Sequence, residues 1–163
     1  MTYVERLKRQ LLSARQTSEK LLADFQRPEQ WVYQVHPQSN HALWFVGHMG
    51  HIDNFFISLI EPARAHEPRK FIECFGMGSQ PSADAAQYPA AAEVMEYMRE
   101  RRSVLLDLLD HLQDADLEQA TPPGAPDFLR DKAAVFEMAI WHEGLHSGQL
   151  SVVRRALGFP PLA

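Results

Sequence analysis

The chain has a single cysteine, Cys74, among 163 residues. One thiol closes no internal disulfide, so the fold must rest on a packed core, and a reducing compartment is expected. No apolar run is long enough to span a bilayer, and Met1 to Gln10 alternates charged and apolar residues instead of forming the apolar block of a signal peptide. Together these absences predict a cytoplasmic protein with no membrane partner. A basic surplus is missing too: the formal net charge is −5, which argues against phosphate-backbone binding and hence against a nucleic-acid partner. Strand-like alternation, internal repeats and low-complexity tracts are also absent.

What is present is an ordinary globular composition, 45% hydrophobic and 23% charged, with eight histidines. That length is expected to make one domain over residues 1–163 with one real core. Helical periodicity accounts for most of the chain. Val4, Leu7, Leu11, Leu12, Leu21, Leu22 and Phe25 mark a first helix over 2–25, ended before Pro28. A second runs from His41 to about Ile60, capped by Ser39 or Asn40, with Trp44, His48, Ile52, Phe55, Phe56 and Leu59 inward. A third covers Pro89 to Leu112, and a fourth, capped by Asp127, runs from Phe128 to Leu157 and stops at Gly158. Residues 61–88, broken by proline and glycine, form a long crossover. The expected architecture is an all-α four-helix bundle.

The fourth helix carries His142-Glu143-Gly144-Leu145-His146-Ser147-Gly148-Gln149. Histidines at i and i+4 lie on one helix face and can reach one ion. Val135, Ala139, His142, His146, Gln149, Val153 and Ala156 follow the inward spacing, so three polar residues are expected on a stripe that normally packs. Buried polar groups left without partners cost about 1–3 kcal/mol each, and three together imply a network, a wet pocket or a metal. The octet also contains His-Glu-x-x-His, the pattern of zinc peptidases in which the glutamate activates water. A peptidase of that kind needs a third ligand downstream, and none of the 17 residues after His146 is Asp, Glu or His. This makes the peptidase a minor alternative, and the remaining ligand must lie upstream.

His48, on the apolar stripe of the second helix, is the best placed upstream candidate. His51, three residues on, is either the ligand itself or a partner to it. His41 is expected near the surface, and His36, His66 and His111 as solvated side chains. Glu143 points about 100° away from His142 around the helix, so it either stands behind the ligands or faces the rim or solvent. Gln149 can hydrogen-bond a ligand histidine, and Asp53 is a possible acceptor behind His48. Trp44, Phe45, Met138 and Trp141 are candidates for an apolar pocket. Cys74 reads as a resting free thiol. Substrate specificity is assigned to residues 26–38 and 61–88.

Trp44-Phe45-Val46-Gly47-His48-Met49-Gly50-His51-Ile52-Asp53, followed by His142-x-x-x-His146-x-x-Gln149, resembles the DinB-like superfamily, which includes YfiT-type metal-dependent hydrolases and thiol S-transferases. The resemblance implies a four-helix bundle with metal ligands His48, His142 and His146. It also implies a divalent transition metal, zinc or nickel first and iron next, and a small-molecule substrate such as a low-molecular-weight thiol. A homodimer is the expected assembly. Many members read His-x-x-His-His-Arg-Gly-Gln, where this chain has Leu145 and Ser147 in place of the extra histidine and the arginine. The first motif is similar also to the N-terminal domain of ergothioneine-forming iron enzymes. A non-catalytic stress-response or interaction bundle with a structural metal is the rival reading.

Overall fold

The structure, a computed structural model, describes residues 1–162. Six helices follow one another: α1 (Tyr3–Leu22), α2 (Pro28–Trp31), α3 (Ala42–Ile60), α4 (Arg69–Phe75), α5 (Ala91–Asp110) and α6 (Lys132–Ala156). The four long ones, α1, α3, α5 and α6, are those expected from periodicity. No strand occurs among the described residues; one isolated bridge joins Ala120 and Asp131. The long helices make a ring in which α1 packs on α6, α6 on α3, α3 on α5 and α5 back on α1. No helix is long and apolar enough to cross a membrane.

Capping explains where the helices begin. Thr2 and Glu5 form a reciprocal capping box at α1, and Asp114 accepts from the amides of Tyr3 and Val4 at 2.9 Å each. At α3 the cap is neither Ser39 nor Asn40 but His41, whose Nδ1 accepts from the Trp44 amide at 3.0 Å. This cap is buried, which corrects its expected surface position: its ring packs edge-on against Tyr88 at 5.1 Å. Asp131, not Asp127, caps α6 through the Ala134 amide. Asp127 lies in a short 3₁₀ turn that ends at Leu129. Gly158 ends the chain's last helix as expected, at φ +84°.

Two apolar cores stack along the bundle. One gathers Leu21, Leu22, Phe25, Leu43, Phe45, Met49, Phe75, Met98 and Leu150. The other gathers Leu7, Leu11, Ile52, Phe56, Leu105, Leu109, Leu129 and Phe136. The crossover is less irregular than its prolines suggested, because α4 drives Phe71 and Phe75 into the first core. Gly47 makes that docking possible: a Cβ there would sit 2.2 Å from the Phe75 ring.

Between the two cores lies a layer of charge with one member from each long helix. Arg15 on α1 reaches Asp53 on α3 at 3.0 Å and Glu143 on α6 at 2.7 Å. Arg102 on α5 reaches the same two carboxylates, Asp53 at 2.9 Å and Glu143 at 2.8 Å. All four are buried. Glu143 is therefore neither solvent-facing nor at the pocket rim. The 100° offset from His142 turns it into the bundle centre, where Arg15 and the Ser18 hydroxyl each donate to Oε1 at 2.7 Å, and Oε2 lies 2.8 Å from the Arg102 guanidinium as an ion pair without a hydrogen bond.

Candidate metal centre

The helices bring His48 from α3 to the His142–His146 pair of α6. Each offers a ring nitrogen, and the three lie within 4.8 Å of one another. Ring centroids are 5.1 Å apart for His48 and His142, 5.0 Å for His48 and His146, and 4.5 Å for His142 and His146. The i,i+4 spacing on α6 and the single turn of α3 facing it are enough to produce this cluster.

Two of the imidazoles are fixed from behind. His48 Nδ1–H donates to the Phe75 carbonyl at 2.8 Å, and His146 Nδ1–H donates to Gln149 Oε1 at 2.9 Å. Each such bond sets the tautomer and leaves Nε2 with its lone pair free for an ion. Gln149 is itself held by Asn40, which donates to it at 3.1 Å. Trp44 stacks on His48 at 4.3 Å and 16°, closing one side of that ring. Burial takes the His48 pKa down to about 3 and the His142 pKa down to about 4, and it lowers that of His146. All three rings are therefore neutral near pH 7, the form a metal needs. Neutral nitrogen donors that converge, two of them locked in the ligating tautomer, fit a divalent transition metal.

The inward stripe is only partly as expected. Val135, Ala139 and Val153 are buried, His142 and His146 are half-buried, and Gln149 and Ala156 are exposed. The helix presents its histidines at the edge of the packed face, so they are reachable. Asp53 does not back His48, because both its oxygens are taken by the arginines of the charge layer. His51 stands beside the cluster, its ring 6.1 Å from His48, and its Nδ1 pairs with Glu67 at 2.9 Å. His36, His66 and His111 are exposed and join no cluster. Cys74 is half-buried on α4, with its sulfur 3.6 Å from the Gln87 carbonyl. A zinc-peptidase reading loses its base, since the Glu143 carboxylate is held in the charge layer.

Glu67 and the Phe75 carbonyl had no readable signal in the sequence; both come from the irregular crossover. The charge layer had one: Arg15 and Ser18 interrupt the stripe Leu7, Leu11, Leu22, and Arg102 interrupts Val94, Met98, Leu105, Leu109.

A cavity of about 510 Å³ opens beside the cluster, and His142 and His51 form part of its wall. The rest is apolar, with Phe55, Phe56, Met138 and Trp141 among its residues. Of the four expected pocket residues, Met138 and Trp141 line it. Trp44 instead covers His48, and Phe45 is core. Pro126, Phe128 and Leu129 also contribute, so the segment before α6 shapes the cavity. Of residues 26–38 and 61–88, only Met77 lines it.

No curated protein matches the chain in sequence. A crystal structure of a conserved protein from Enterococcus faecalis is similar, with a TM-score of 0.71 over 95% of this chain and 96% of that one. At 17% identity the likeness concerns fold alone. The model of the DinB superfamily matches residues 10–150, a span that contains all three histidines and the whole charge layer. The chain belongs to the DinB superfamily.

Proposed function

We propose that this protein, one DinB-like bundle over residues 1–163, is a metal-dependent enzyme acting on a small molecule. His48, His142 and His146 hold the ion. Zinc or nickel suits three imidazoles best, with iron next. The reaction class is thiol S-transfer or hydrolysis, since the chemistry a divalent ion supplies on three neutral ligands is Lewis acidity toward a bound thiol or water. The observation that carries the reading is the pair of Nδ1 bonds to Phe75 and Gln149, which orient two rings for ligation.

The protein's own groups divide the work. Trp44 keeps water from one face of His48, and Gln149 holds His146. His51, paired through Nδ1 with Glu67, places a second polar side chain next to the centre. The expected setting is a cytoplasmic homodimer with a low-molecular-weight thiol as one reactant.

The test is metal analysis of the purified protein together with His48→Ala, His142→Ala and His146→Ala. About one equivalent per chain, lost in each variant, is the expected result; far less than one equivalent that is unchanged in the variants ends the proposal. The rival reading, a structural metal in a non-catalytic bundle, predicts that chelation unfolds the protein. A metal-free form that keeps its helical circular dichroism and its cooperative melt supports the enzyme, because the two cores and the charge layer use none of the three histidines.

A further inference from the structure

The cavity against His142 is unlike the centre it adjoins. Ile52, Phe55 and Phe56 on α3, Met138 on α6 and Phe128 before α6 give it an apolar surface, and its polar side chains are His51 and His142. Its volume of about 510 Å³ lies in the range of small-molecule sites. Around the mouth, large hydrophobic side chains are left in water: Met77 is 80% exposed, Phe128 63% and Trp141 59%. A sugar or phosphate entering here would give up its hydration for two ring nitrogens, at about 1–3 kcal/mol for every polar group left unpaired. No Lys or Arg lines the wall to hold an anion. His51 has committed Nδ1 to Glu67, so the nitrogen it can offer a ligand is Nε2.

We propose that this cavity is the substrate site and takes a small amphipathic molecule. Its alkyl or aryl body fills the hollow, and its one polar, metal-seeking group sits at the end made by His142 and His51. The orientation of the ligand rests on the metal-centre reading; the apolar class of its body rests on the cavity alone. Phe128 and Met138 then set the length and girth of the molecules accepted.

Alkyl hydroxamates, a metal-binding head on a tail of chosen length, test this in the zinc-loaded full-length protein by calorimetry. From acetohydroxamate to octanohydroxamate, affinity rises about three- to fourfold per added methylene. Met138→Trp fills the hollow and flattens that gain. Phe128→Ala, at an exposed position that does not threaten folding, lowers the affinity of the longer tails. Equal affinity along the series, or a gain untouched by both substitutions, overturns the proposal. If the protein takes up no zinc, the metal reading has failed by itself. The 1-alkanols from butanol to decanol then read the cavity in the metal-free protein: rising affinity supports it and a flat series overturns it. Sedimentation showing a dimer that octanohydroxamate neither binds nor dissociates would assign the cavity to a second copy of the chain and also overturn the proposal.

Discussion

The bundle contains two polar clusters that share helices α3 and α6, and they are built on opposite principles. The layer of Arg15, Asp53, Arg102 and Glu143 pairs two cations with two anions at full burial. Burial works against the charge on Arg102, but Asp53 and Glu143 outweigh it and raise its pKa. Burial likewise opposes the charge on Glu143, and Arg102 and Arg15 outweigh it to lower that pKa. The layer pairs each of its charges within the chain. The three histidines contain no charge, converge on a point where the chain supplies no counterpart, and lie at the edge of the packed face. Adjacent residues of α6, His142 and Glu143, belong one to each. A polar cluster whose charges pair within the fold contributes to structure; one whose donors converge without a partner in the chain has the geometry to hold an ion.

Substitution in the layer is the strongest way to break that contrast. Arg102→Met leaves Asp53 and Glu143 short of a cation in the core and is expected to reduce unfolding free energy by about 3–5 kcal/mol, read from the denaturant midpoint. A loss below about 1 kcal/mol would erase the distinction between the clusters. Next comes Gln149→Ala, which frees His146 to change tautomer. It is expected to weaken zinc binding about 10- to 100-fold while the metal-free protein melts as before; a lower melting temperature in the metal-free variant would show that the histidine edge is structural after all. The smallest effect comes from a charge outside both clusters. Backbone bonds from Tyr3 and Val4 hold the pKa of Asp114 below its ordinary value of 3.8. Its folded pKa is depressed, so its contribution is full above that ordinary value and fades as the pH falls through the folded one. Asp114→Asn should therefore lower the melting temperature slightly at neutral pH and converge with the parent in acid. A difference that persists at low pH would show that the loss is of packing and not of the charged cap.

The four long helices and their order were readable from periodicity because they obey one spacing rule, and His48, His142 and His146 fall on or beside it; the short α2 and α4 were not. The role of Glu143 was not, since helical spacing places it relative to His142 and not relative to α1 and α5. Arg15 and Arg102 were visible as charges inside apolar stripes, yet a single stripe cannot say which charge on another helix meets it. The braces behind His48 and His51 were out of reach for a different reason. Phe75 supplies a backbone carbonyl, which has no signature in a side-chain sequence, and Glu67 lies in a segment with no period at all.

The docking of Phe75 against Gly47 therefore reaches beyond the first core. The carbonyl that holds the His48 Nδ1–H belongs to the last residue of α4, so the orientation of an imidazole on α3 depends on a helix of the crossover. A methyl group added at position 47 would collide with the Phe75 ring, and any shift of that residue moves the hydrogen-bond acceptor of the neighbouring His48; the bare backbone at 47 thus sets a tautomer one residue along.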